Sequence, residues 1–308
     1  MVRTKLMIAC AWAGLLVAAP LARAADPGDV GMLSLRMGIG AREAAMGGAG
    51  VASSEGAAAL FWNPANNALR DRGTDLLLQH YDYLGGFNHE AAAVSHRAGG
   101  GVIGLLFSGF YSEELVRRGE DEVGIPEGTF RPYDVAIGLS YSRALGERFA
   151  AGATAKFIYE TIDLYSDSGV AFDLFLTHRA LIDGLVFGAS LTNVGGQMTL
   201  REEPFDLPTA VRVGAAWTPT SDLLKGRLTM AADMVFPNDT SEKTHLGVEY
   251  RLLGEFALRA GTRLNYDNQG LTAGAGFRMG RLGIDYAFEE SKVSGFDDGH
   301  KFAVVVAW

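Results

Sequence analysis

The 308-residue chain has one cysteine, Cys10, and it lies in the first apolar stretch. Beyond that stretch there is no thiol, so disulfides, thiolate catalysis and cysteine-ligated metals are excluded there. The chain also lacks a run of 18 or more consistently apolar residues. Its longest uncharged stretch, Gly184 to Leu200, is broken by Ser190, Thr192, Asn193, Gln197 and a Gly-Gly pair, so no membrane-spanning helix is expected. A basic excess is missing too: 36 acidic residues face 27 basic ones, with no basic stripe, and nucleic acid is not an expected partner. A nucleophile elbow, a paired-histidine zinc helix and a phosphate-cradling glycine loop after a strand are not found. No catalytic residue, cofactor or metal site is therefore assigned, and the chain reads as a non-enzyme.

What is present begins with a targeting pattern. Arg3 and Lys5 precede an apolar core from Leu6 to Ala19, and Ala22-Arg23-Ala24 has small residues at the cleavage spacing. A signal peptide over residues 1–24 is expected, with cleavage before Ala25. The alternative, a lipoprotein signal with Met7-Ile8-Ala9 before Cys10, leaves only four apolar residues ahead of the cysteine.

Residues 25–73 are rich in small side chains. Glycines at 38, 40, 47, 48 and 50 interrupt any helix, and Ser53-Ser54-Glu55 offers a cap for a helix through Ala57 to Phe61. Asn63-Pro64 then stops it, because proline disfavours the helical conformation in the preceding residue. Short helices with small faces suit a plug packed in an irregular space.

Residues 74–308 read as fourteen strands: 74–83, 87–98, 101–111, 131–144, 148–162, 168–178, 184–194, 208–217, 226–236, 243–252, 255–266, 270–278, 282–290 and 300–308. Several alternate cleanly. Phe302, Val304, Val306 and Trp308 oppose Lys301, Ala303, Val305 and Ala307; Leu246, Val248 and Tyr250 oppose Gly247, Glu249 and Arg251. A period of two puts each set on its own side of a sheet, which a soluble sandwich would share.

Three features favour a closed barrel in a membrane. Apolar faces end in aromatics (Tyr133, Tyr141, Phe149, Tyr159, Trp217, Trp308), as in interfacial girdles. Connectors alternate between tight (Gly99-Gly100, Leu253-Gly254, Gly280-Arg281) and long (112–130, 195–207, 291–299). The strand count is even, and Trp308 ends the last strand in the manner of an insertion signal read by barrel-insertion machinery. The expected fold is an all-β, fourteen-stranded antiparallel transmembrane barrel with a short N-terminal helical plug, or hatch, in its lumen. Outer-membrane lipid is its surround and the outer membrane of a Gram-negative-type bacterium its location. Charges on the other strand faces, among them Asp134, Lys156, Asp173, Arg259, Arg263, Asp285 and Glu289, would then line the lumen.

Arg36-Met37-Gly38-Ile39-Gly40-Ala41-Arg42-Glu43-Ala44-Ala45-Met46-Gly47-Gly48-Ala49, followed by Ala57-Ala58-Ala59-Leu60-Phe61-Trp62-Asn63-Pro64-Ala65, resembles the start of the PorV/PorQ family, itself similar to the FadL-type transporters. The resemblance implies a fourteen-stranded barrel with a hatch carrying the Asn-Pro-Ala element. It also implies one of two tasks. PorV-type members hold secreted proteins at the surface, so the first reading is support of secretion or surface assembly of partner proteins, through the loops at 112–130 and 195–207. The second is FadL-like passive uptake of hydrophobic small molecules through a lateral opening in the wall.

Four residue sets follow. Asn63, Pro64 and Ala65 are candidates for a plug latch. Leu60, Phe61 and Trp62 are candidate contacts for a hydrophobic ligand. Gly100, Gly101 and Gly104 would allow an inward kink of the third strand. His80, Asp82, His89 and Glu90, near the tip of the first hairpin, carry ligand-type atoms, but surface polarity is the ordinary reading there and no metal is assigned. The acidic loop with Glu113, Glu114, Glu120, Asp121, Glu122 and Glu127 reads as solvated charge.

Overall fold

The computed structural model describes residues 30–71, 73–118, 126–220 and 225–308; the expected signal peptide and Glu120, Asp121 and Glu122 lie outside them. Among the described residues, fourteen antiparallel strands close into a barrel. They are β1 Thr74–Tyr83, β2 Phe87–Ala98, β3 Gly101–Ser112, β4 Tyr133–Ala144, β5 Phe149–Ile162, β6 Tyr165–Arg179 and β7 Leu185–Gly195, then β8 Ala210–Trp217, β9 Gly226–Pro237, β10 Lys243–Leu252, β11 Phe256–Leu264, β12 Gln269–Met279, β13 Leu282–Ser291 and β14 Gly299–Ala307. Each pairs with its chain neighbour, and β14 returns to β1. At that seam Thr74 and Trp308 exchange backbone hydrogen bonds of 2.8 and 2.9 Å, leaving no unpaired edge.

The alternation of the sequence becomes inside and outside. Leu258 is 67% exposed whereas its neighbour Arg259 is 5% exposed. Such an inversion, with aliphatic side chains outward and ionised ones enclosed, is stable only where hydrocarbon surrounds the wall. Tyr133 and Tyr141 flank the outward row of β4, and Tyr133 meets Tyr159 of β5 with ring centroids 5.9 Å apart. No helix of the described residues is long and apolar enough to cross a membrane; the strands do so.

Most tight turns share one rim with the 308 terminus, 218–225 being a longer exception; the other rim carries the longer loops at 113–132 and 196–209 and also the two-residue β5–β6 turn. Two loop hairpins, Leu115–Arg118 with Pro126–Phe130 and Met198–Leu200 with Glu203–Phe205, stand where the sequence indicates only loop.

The plug threads the lumen from the loop rim to the turn rim. Val30 bridges Asp206 in the β7–β8 connection, and Gly73 leads into β1. Between them lie α1 Ala41–Ala45, α2 Ala59–Trp62 and α3 Ala65–Ala68. Helices this short do not stand alone in water; the wall holds them. Ala41, Ala44 and Ala45 are fully buried in a cluster with Ala287 and Ala303 of β13 and β14. The expected serine cap is not made. Ser53 Oγ donates to Ala49 O at 2.5 Å, and Glu55 ion-pairs with Arg70 and Arg251.

Candidate functional site

Above the plug, toward the loop rim, lies a cavity of about 640 Å³. Phe61 and Trp62 of α2, with Met37 and Ile39 ahead of α1, form its apolar floor; Tyr81 and Tyr83 of β1 and Tyr266 after β11 stand on its walls. Trp62 is fixed from several sides. Its Nε1–H donates to Ile39 O at 2.5 Å, and the Arg212 guanidinium lies 4.8 Å from its ring centroid. A Cβ on Gly50 would come within 2.4 Å of the indole, so only glycine lets the backbone pass there.

Charged residues from the inward faces ring this floor. Glu289 accepts from Arg263 at 2.5 Å, Lys301 at 3.2 Å and the Tyr81 hydroxyl at 2.6 Å. Below the cavity, Arg42 of α1 grips Glu249 of β10 with two bonds of 2.9 and 3.0 Å. Glu249 also accepts from Arg259 at 2.7 Å, and Arg259 continues to Asp285 at 2.8 Å. Although burial alone would lower it, Glu249 and Glu43 hold the Arg42 guanidinium above its ordinary pKa, while burial pushes the Glu43 carboxyl up. The plug is thus ionically wired to the wall.

The candidate latch bridges plug and wall. Asn63 is fully buried. Its Nδ2 donates to Val51 O (2.9 Å) in the plug and to Leu176 O (2.9 Å) and Thr177 Oγ1 (3.0 Å) on β6. Its Oδ1 accepts from the Ala65 N–H at 3.1 Å, opening α3 behind Pro64, and the Pro64 carbonyl accepts from Ser142 Oγ of β4 at 2.9 Å. Losing these bonds costs about 0.5–1.5 kcal/mol each, with Val51 O left only the 3.3 Å bond from Asn66 Nδ2. Asn63→Ala is therefore expected to raise proteolysis within residues 40–70 several-fold, while the barrel keeps its heat-modifiable gel shift.

Other expectations are redistributed by the geometry. Phe61 and Trp62 line the cavity; Leu60 turns away from it and packs on β3, where a Cβ on Gly104 would sit 2.3 Å from Leu60 Cδ2. Gly104 thus makes room for a plug side chain. The expected β3 kink is absent: Gly101–Ser112 pairs with β2 and β4 without a register shift, and Gly100, at φ +77°, forms the β2–β3 turn. The irregularities lie elsewhere, between β12 and β13 and between β6 and β7, where Leu191–Val194 faces Phe172–Leu174. Asn193 takes φ +60° at the latter; asparagine tolerates that region. Its N–H donates to Asp173 at 2.7 Å, and its side-chain oxygen accepts from Lys156. The metal-type set is split by the wall: His80 and Glu90 meet outside at 2.7 Å, whereas His89 is buried inside on Ser108. Of the acidic loop, Arg117 pairs with Asp163.

Comparison with solved structures decides the architecture. The Ralstonia pickettii toluene transporter TbuX superposes with a TM-score of 0.63 at 16% identity, over 88% of this chain and 97% of that one. The Pseudomonas putida toluene transporter TodX gives 0.61 at 14%, over 87% and 97%. The fold is that of a plugged, FadL-type barrel. No family model and no curated protein matches the chain. The plugged barrel is common ground between the two families that the sequence resembles, and nothing in these comparisons speaks for the PorV/PorQ branch.

Proposed function

We propose that this chain is a non-enzymatic outer-membrane channel for the passive entry of small molecules with an apolar body, its loop rim facing outward. The observation that carries this reading is the cavity at the loop rim, floored by Phe61 and Trp62 of the plug. A pocket of about 640 Å³ is in the range that holds a small organic molecule; its floor is apolar and its walls carry polar and charged groups. Likeness to two toluene transporters supports the same direction. A protein-holding role, the first reading of the PorV/PorQ resemblance, has no need of such a pocket. Beneath the floor the plug fills the lumen, so onward passage requires the plug to yield.

The test uses a porin-depleted Gram-negative host. Expression of the full chain is expected to raise the initial uptake of radiolabelled toluene, benzyl alcohol or benzoate several-fold over host cells lacking it. Uptake of all three no faster than in cells lacking the chain, together with a stoichiometric protein partner in the detergent extract, would overturn this reading in favour of partner holding.

A further inference from the structure

Three cationic groups stack on aromatic rings around the one cavity: Arg212 on Trp62 (4.8 Å to the centroid), Lys243 on Tyr266 (5.2 Å) and Lys301 on Tyr81 (4.0 Å). The cavity is lined by six Lys or Arg side chains against three carboxylates, with Asp239 and Asp233 behind the lining paired to Arg36 and Arg212, so a small positive excess remains inside a chain whose net charge is −9. The positive excess is thus local and not compositional.

The pairing within it is uneven. Arg263 and Lys301 share the single carboxylate of Glu289. Arg212 donates to Gly48 O at 2.8 Å and reaches Asp233 only at 3.4 Å. Lys243 meets the neutral oxygens of Asn265 (2.5 Å) and Ser241 (3.4 Å); among the described residues no carboxylate is paired with it. A neutral hydrocarbon entering here would strip water from these cations and return nothing. An anion would return charge-assisted hydrogen bonds, bidentate at a guanidinium, while the rings take a planar apolar body edge-on or stacked.

We infer that the ligand is a small aromatic carboxylate, its ring among Phe61, Tyr83 and Tyr266 and its carboxylate held by Arg212 and Lys243. This rests on the channel reading above and narrows it to a charged class. The toluene transporters carry their names for a neutral hydrocarbon, so the inference separates this chain from them in ligand class.

Benzoate and benzyl alcohol differ in charge but little in shape, and they are the probes. Binding to the detergent-solubilised full chain is followed by titration calorimetry, and barrel-dependent uptake in the porin-depleted host. Benzoate is expected to bind at least tenfold tighter than benzyl alcohol, with an advantage that shrinks at high salt and in R212Q/K243Q. The heat-modifiable gel shift reports that the variant is folded, and R212K/K243R is expected to restore part of the preference. Barrel-dependent uptake of benzyl alcohol with no benzoate preference overturns the anionic class and leaves the channel standing. No barrel-dependent uptake of either probe removes the channel reading, and this inference with it.

Discussion

Gly261→Val is expected to drive the plug off the wall while the barrel itself still closes. A Cβ at position 261 would lie 2.2 Å from Gly47 N and 2.4 Å from Met46 C. Its cross-strand partner Gly247 is as tightly covered, with Met46 O at 2.3 Å from the same hypothetical atom. From the other side, Gly47 (φ +70°) would place its own Cβ 2.5 Å from Leu246 O. These are backbone atoms on both faces, and they cannot rotate away as a side chain would. Overpacking of this kind costs about 1–3 kcal/mol where neighbours can shift and more where they cannot. The displaced corner also loses the 3.0 Å bond from Gly47 N to Thr272 Oγ1 and the 3.0 Å bond from that hydroxyl to Ala45 O. Larger single-channel conductance in planar bilayers and faster cleavage within residues 40–70 are the expected readings. Ala260→Val, one residue away and facing lipid, is the control and is expected to change neither.

The second large effect comes from Glu249→Gln. The carboxylate is 3% exposed and accepts from Arg42, Arg259 and Arg251. Neutralising it leaves Arg42 with Glu43, and Arg259 with Asp285, each short of a partner in an enclosed site. Removing one side of a buried pair typically costs about 3–5 kcal/mol, here charged against plug docking because Arg42 is the plug's side. Replacing Arg42 as well removes the plug's stranded cation, while Arg259 keeps Asp285 and the buried Glu43 is left without Arg42. The double variant Arg42→Met, Glu249→Leu is accordingly expected to regain part of the lost protease resistance. If E249Q and the double variant are equally sensitive, the ion pair is not what docks the plug.

Most of the barrel is legible in the sequence because a tilted strand between lipid and lumen must alternate, and Leu246 to Arg251 or Leu282 to Glu289 do so without interruption. The plug is legible from its alanines and glycines, and Asn63-Pro64 marks a true helix end. The hairpin Met198–Leu200 with Glu203–Phe205 is not legible, because three-residue strands are too short to show a period and Met198 is buried by packing with distant Met32, Ile158 and Leu207. Gly104 by itself is equally consistent with a kink in β3. Glycine serves a bend and a close approach equally well, and only the position of Leu60 distinguishes them. The cation–ring stacks join residues far apart in sequence, such as Trp62 and Arg212, and a pattern of spacing cannot reveal them.

The course of the plug from Val30, beside Asp206 at one rim, to Gly73 at the other bears on assembly. A thread of some forty residues, wider than its own backbone by every side chain it carries, cannot be slipped sideways through a sealed cylinder. The zipping of Thr74 onto Trp308 lies at the foot of that thread. Plug and wall closure thus meet at one point: the chain leaves the lumen at Gly73, and the very next residue, Thr74, locks the first strand to the last.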